Sequence, residues 1–170
     1  MIQVVRKHLM VMLIALIFAP VAMAQMQPAK RIAPKVIKGV SLNASVDEVW
    51  SFVSRPKSFF EAIKEVENLK CPAISEGAKM SFTLPNDSKR QQEVSAVNKQ
   101  EQVIAYYITQ SDYYHQNFVY RLLVGADGNK AFVQFEGIFS TDSKDEDKKL
   151  KALVEGEWMW MKKALEEKFN

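Results

Sequence analysis

Few side chains in this sequence could react, and their scarcity narrows the chemistry. His115 is one of two histidines, and the other, His8, lies near the N-terminus. A lone imidazole with no acid or thiol cluster beside it makes no metal centre, and it serves no obvious Ser or Cys nucleophile. It sits in Ser111-Asp112-Tyr113-Tyr114-His115, a polar and aromatic loop between two strong strands. There His115 is either an exposed loop residue or, with Tyr114, a hydrogen-bonding group at the mouth of a pocket. Cys71 is the sole cysteine, so no internal disulfide forms, and beside Pro72 it reads as a partly buried, inert thiol. No glycine-rich phosphate loop is present; Val124-Gly125-Ala126-Asp127-Gly128 matches no nucleotide-binding fingerprint.

The carboxylates offer little more. Glu93 and Glu136 fall on predicted strands, where an apolar cavity would raise their pKa and make them acids or bases. By parity Glu136 shares a face with Gln134 and is expected to point to solvent. Glu155, Glu157, Glu166 and Glu167 read as solvating residues of a helix, with Glu157 next to its apolar stripe. The expectation is therefore no catalytic group, no metal and no cofactor.

The aromatic residues carry the clearest signal. They supply 11% of the chain, enough either for an ordinary core with cross-strand ring pairs or for a ring-lined cavity with a few polar tips, the usual form of a small-molecule site. In the second case Tyr106, Phe118, Tyr120, Phe135, Trp158 and Met161 line the pocket. The tyrosine hydroxyls would orient a ligand and the other side chains supply apolar area. Trp160 is two residues beyond Trp158, a turn of roughly 200 degrees along a helix. It is thus exposed or buried against something else, and Met159 with Trp160 becomes a candidate partner surface.

The elements that would position these residues follow from periodicity. Leu150, Leu153, Val154, Trp158, Met161 and Leu165 recur at mostly helical spacing, predicting one long amphipathic helix over about 142–169, capped by Asp142 or Ser143. Such a stripe needs a large partner. Val36, Val40 and Leu42 share one face of a first strand. Ser45 with Glu48 makes a capping box for a helix carrying Val46, Val49, Trp50 and Val53, which Pro56 ends. A second short helix is expected over 58–63. Strands follow at 65–70, 79–84 (Met80, Phe82 and Leu84 inward), 91–97, 102–109, 116–124 and 131–139. The 91–97 strand is mostly polar, so it reads as an edge or as a strand with one wet face. The odd positions of the last strand, Ala131 to Phe139, are its buried face, and Gly137 would permit a bend. The sum is an α+β fold: a curved antiparallel sheet wrapped around a long C-terminal helix, with two short helices after the first strand.

Composition sets the compartment. Arg6, Lys7 and His8 precede an apolar run from Leu9 to Val21 and then Ala22-Met23-Ala24, the three parts of a cleaved signal peptide. The run is short for a membrane span. Residues 1–24 are read as leader, 25–34 as a flexible lead-in and 35–170 as one domain, placing the mature protein in the periplasm without a stable membrane span. The whole chain carries +3; without the leader, 21 basic face 20 acidic residues. Those charges are dispersed, which excludes the basic stripe that nucleic acid requires.

Several strings resemble one superfamily. Leu42-Asn43-Ala44-Ser45-Val46-Asp47-Glu48-Val49-Trp50 stands at the first strand-to-helix junction, Gly77 opens a strand, Tyr106 lies in mid-strand, and Asp127-Gly128 precede a strand ending in Phe139. In this order they resemble the helix-grip superfamily of START lipid-transfer domains, the birch-pollen allergen type and bacterial polyketide cyclase/dehydrase-like proteins. The resemblance covers nearly all of 35–169. It implies strands wrapped around the C-terminal helix and a cavity for a hydrophobic ligand. Where many bacterial members carry Arg just after the strand-opening Gly, this chain has Lys79 and Met80. The exported MxaD-like branch, accessory to periplasmic methanol oxidation and its electron transfer, is similar in length and leader.

Three functions remain open on these grounds. One is a periplasmic, non-enzymatic carrier of a small hydrophobic or amphipathic molecule. The second is an accessory protein that docks on a periplasmic partner. The third is a cyclase- or dehydratase-like enzyme.

Overall fold

Ser45 decides where the first helix begins. Its hydroxyl accepts from the Glu48 backbone N–H, and the Glu48 carboxylate accepts from the Ser45 N–H at 2.9 Å. The predicted capping box is therefore complete, and it starts α1 (Val46–Val53), which buries Val49 and Val53. Pro56 ends this helix and opens the next, α2 (Pro56–Glu61), which buries Phe59 and Phe60. Proline at a helical first position loses no needed donor, so the second helix starts two residues earlier than the aromatic spacing predicts. Both helices follow β1 (Val36–Leu42), whose buried residues are Val36, Val40 and Leu42, as parity requires.

In the computed structural model, residues 32–71, 75–113 and 115–170 are described. The leader and most of the lead-in lie outside this range, and so does Tyr114. The remaining strands are β2 (Glu67–Lys70), β3 (Lys79–Leu84), β4 (Ser88–Asn98), β5 (Val103–Gln110), β6 (Gln116–Asp127) and β7 (Lys130–Ser140). They form a seven-stranded sheet in the order β1-β7-β6-β5-β4-β3-β2, with every pairing antiparallel. From β2 to β7 each strand returns beside its predecessor, and β1, which the two short helices separate from β2, closes the order by pairing with β7. Gly128 adopts φ 62° in the tightest hairpin, a conformation that costs glycine little.

The long helix α3 (Lys144–Phe169) is capped by Ser143, with Asp145, Glu146 and Asp147 in its first turn and Lys168 in its last. These charges complement the helix dipole. The helix buries Leu150, Val154, Glu157, Trp158, Met161, Ala164 and Leu165, a stripe at helical spacing. It packs against β1 and β7. Gly137 makes that approach feasible, since a Cβ there would stand 2.6 Å from Val154 Cγ1. Helix contact is thus a requirement the structure places on this glycine.

Of the two readings of the 91–97 strand, the one with a single wet face holds: β4 lies between β3 and β5 and turns Arg90, Gln92 and Val94 inward, all buried, while Lys89, Gln91 and Ser95 on its other face are exposed. Two expectations need correction. Glu136 lies on the outer face but is only 6% exposed. Arg121 Nε, across on β6, donates to its Oε2 at 2.8 Å, and Gln134 Nε2, two residues back on its own strand, donates to its Oε1 at 2.8 Å, so these partners cover it and satisfy it. Glu157, read as solvating, is 4% exposed. It sits three residues after Val154 and four before Met161, in the middle of the buried stripe.

Candidate functional site

Glu157 and Arg90 meet inside the protein because two elements each turn one charged residue inward. Strand parity brings Arg90 to the inner face with Gln92 and Val94, and helix periodicity brings Glu157 opposite. Arg90 Nη2 donates to Glu157 Oε1 in an ion pair whose side chains are 2% and 5% exposed. Tyr120 Oη donates to the other carboxylate oxygen, Oε2, at 2.5 Å. The guanidinium also lies over two rings, 5.4 Å from the centre of Phe118 and 5.9 Å from that of Tyr120, where the ring quadrupoles favour a cation.

This network fixes protonation states. Burial alone would lower the Arg90 pKa, but the Glu157 carboxylate and Tyr120 outweigh it, so the guanidinium is held more firmly charged. Burial, with Glu157 nearby, pushes the Tyr120 phenol well above its ordinary range, so it stays a donor at neutral pH. Burial also raises Tyr106, with Cys71 adding to the effect.

The cluster still has unused hydrogen-bonding capacity. Arg90 Nε and Nη1, Gln92 Oε1 and Tyr106 Oη are buried with no hydrogen-bond partner among the described residues. Buried polar atoms are ordinarily satisfied, and each one left alone costs about 1–3 kcal/mol. Gln92 Nε2 finds only the Met80 sulfur, at 3.9 Å. Unsatisfied groups of this kind mark a place for a water molecule or a ligand.

A cavity adjoins one of them, Gln92. It measures about 10 Å³ and is walled by Gln92, Tyr120 and Glu157 on its polar side and by Phe60, Phe82, Leu84, Trp160 and Met161 among its apolar side chains. That volume suits about one water molecule. A groove of about 570 Å³ lies alongside, lined by Leu84, Pro85, Ser88, Asp112, Tyr113, Leu153 and Trp160 among others. Leu84 and Trp160 line both spaces, so the outer groove and the inner cavity adjoin at these two side chains.

The residues expected to line a pocket are distributed as follows. Tyr120 and Met161 line the cavity. Phe118, Phe135 and Trp158 are buried beside it in a continuous series of rings: Phe118 to Tyr120 at 5.0 Å, Tyr120 to Phe135 at 5.0 Å, and Phe135 stacked on Trp158 at 5.3 Å. Tyr106 is buried against Phe60, with ring centres 5.4 Å apart. Met159 is 58% exposed, whereas Trp160 is partly buried. Among the described residues no three His, Cys, Asp or Glu side chains gather as metal ligands would, and no helix is long and apolar enough to cross a membrane. Arg90, Gln92 and Glu157 were absent from the sequence-derived site.

No family model and no curated protein matches the sequence. Solved structures do match. XoxI from Bacillus cereus superposes with a TM-score of 0.65 at 20% identity, covering 79% of this chain and 94% of that one. Norcoclaurine synthase from Thalictrum flavum, in complex with dopamine and hydroxybenzaldehyde, gives 0.67 at 14% identity, covering 79% and 85%. Ginseng major latex-like protein 151 gives 0.60 at 7% identity, covering 79% and 95%. The chain has the helix-grip fold. At these identities the likeness extends to the fold alone, and the chemistry must come from this chain's own side chains.

Within this helix grip, His115 sits close to the cluster. Its ring meets Phe118 edge-on at 5.2 Å, and burial, followed by the positive charge of Arg90, holds its pKa below the ordinary value. A base whose folded-state pKa is lowered binds fewer protons folded than unfolded. Its contribution to stability is therefore complete above the unfolded value of about 6.5 and declines as pH falls through that value toward the folded one. Denaturation at pH 7.5 and 5.5 should show a smaller acid loss for His115→Gln than for the unsubstituted protein. Equal losses would place His115 outside the reach of Arg90.

Proposed function

We propose that this protein is an exported, periplasmic binding protein for a small amphipathic molecule held between its helix and sheet, without turnover. One observation carries the reading: a water-sized cavity, apolar over most of its wall but reached by the buried Gln92, Tyr120 and Glu157, shares Leu84 and Trp160 with an open groove. The apolar body of a ligand would occupy the groove and its polar end the cavity, once Trp160 swings aside. Most of the binding energy would come from apolar area removed from water, while Gln92 and the Glu157 network set orientation. Binding is favoured over catalysis because both Glu157 oxygens are engaged, one by Arg90 and one by Tyr120. The periplasmic assignment is supported by the leader-like N-terminus.

Native mass spectrometry of protein purified from its own periplasm tests this reading against the same sample denatured. The expected result is a bound mass that disappears on denaturation. A bare polypeptide would favour instead the accessory role suggested by the MxaD-like branch, with Met159 on the docking surface. Trp160→Ala removes a side chain at which the two spaces adjoin and should speed both uptake and release of that ligand by about tenfold, the factor given by about 1.4 kcal/mol off an opening barrier. Unchanged exchange rates would show that ligand does not pass Trp160.

A further inference from the structure

We infer that the ligand presents an uncharged hydroxyl to the inner cavity, as an alcohol or phenol does, and is neither a carboxylate nor an amine. The inference rests on the binding-site reading above and names the chemistry that the site accepts. Three observations lead to it.

The first is charge balance. Arg90 is the one fully buried cation among the described residues, and it is paired with Glu157, 4% exposed. Their charges cancel. A carboxylate entering this space would stand beside Glu157 with no cation facing it, since Arg90 is paired with Glu157 and its unpartnered Nε and Nη1 lie outside the cavity lining. An ammonium would add a positive charge and compete with Arg90 for Glu157. Either leaves an uncompensated charge in an apolar interior, the costly arrangement for buried ions.

The second is the hydrogen-bond inventory at the cavity wall. The carboxylate oxygens of Glu157 each have a donor, and the Tyr120 hydroxyl is spent on one of them. Gln92 is 1% exposed, lines the cavity, and has its amide oxygen unpartnered. That oxygen calls for a donor. A hydroxyl donates to it and can accept as well, so it satisfies the Gln92 amide in either orientation. A carboxylate has no proton to donate, and a purely apolar end leaves Gln92 as it is.

The third is size. A cavity of about 10 Å³ takes a group of about one oxygen atom, the volume of a water molecule or a hydroxyl. A carboxylate or carboxamide is larger. The rest of the ligand belongs in the groove beyond Leu84 and Trp160, whose lining is apolar at Pro85, Ala152 and Leu153 and polar at Ser88 and Asp112.

The test uses four probes of one skeleton at neutral pH: benzyl alcohol, benzoate, benzylamine and toluene. Calorimetry gives their affinities for the mature protein, and amide chemical-shift changes show where each binds. Benzyl alcohol is expected to bind at least about tenfold more tightly than the other three, a difference of about 1.4 kcal/mol, with shifts at Gln92, Tyr120 and Trp160. In Gln92→Leu the advantage of the alcohol over toluene should vanish. Tighter binding of benzoate or benzylamine, or equal binding of toluene, overturns the hydroxyl assignment and leaves the binding site standing. No binding of any probe, with no shifts at the cavity, overturns the site itself.

Discussion

Glu157→Ala is expected to cost about 3–5 kcal/mol of folding stability, the range for breaking a buried ion pair from one side. The loss comes less from the missing attraction than from what is left behind. Arg90 is 2% exposed and would keep its charge with no carboxylate. Tyr120, 1% exposed, would lose the acceptor of its hydroxyl. Set against a typical domain stability of about 5–15 kcal/mol, this is a large fraction. The physical account also dictates how to restore the protein. Adding Arg90→Met removes the stranded charge and should recover most of the loss, because a well-packed apolar replacement of a buried pair is often neutral or stabilising. The remaining deficit, about 1–3 kcal/mol for the orphaned hydroxyl, should disappear with Tyr120→Phe. Urea denaturation of the single, double and triple variants measures each step. If Arg90→Met makes Glu157→Ala worse, the stranded-charge account is wrong.

The same pair shows why the fold was easier to read than the site. Val36, Val40 and Leu42 announce a strand face by alternation, Ser45 and Glu48 announce a helix start, and Leu150 to Leu165 announce a helix face. Each signal is local, and each is confirmed. Arg90 and Glu157 are separated by 67 residues, and each taken alone breaks the local rule that charges face water. Only their meeting makes either one tolerable inside. The signal that could have found them was positional. Glu157 lies on the helical stripe at steps from Val154 and Met161, and Arg90 and Gln92 share parity with Val94. Once β4 is placed inside the sheet rather than at its edge, parity forces both inward. Tyr120 was legible because an aromatic on a buried face satisfies the local rule, although its partner was not. Trp160 was harder: its angle to Trp158 excludes the main stripe but does not say that Leu84 stands across from it.

The ring series beside the cluster supports the second large effect. Phe135→Ala is expected to destabilise by about 3–5 kcal/mol, the usual range for truncating a buried phenylalanine. Phe135 is fully buried and lies between Tyr120 and Trp158, so its loss removes contacts on two sides. Trp158 is held by α3 and Tyr120 by its bond to Glu157, which leaves neither ring free to collapse into the space. The hole should therefore persist, and an apolar cavity of that kind stays dry and accepts a benzene-sized guest. Toluene should then raise the melting temperature of Phe135→Ala, by the linkage that stabilises any protein binding a ligand only when folded. The selectivity of this new hole should differ from that of the cavity beside Gln92. It is walled by rings rather than by an amide and a carboxylate, so benzyl alcohol should hold no advantage there. A loss well below 3 kcal/mol, with no response to toluene, would mean that the rings close over the gap and that the interior is softer than the stacking of Phe135 on Trp158 implies. A full loss reversed by toluene would separate two spaces within one grip: an apolar one that packing fills with Phe135, and one beside Gln92 whose hydrogen bonds the chain leaves for a ligand.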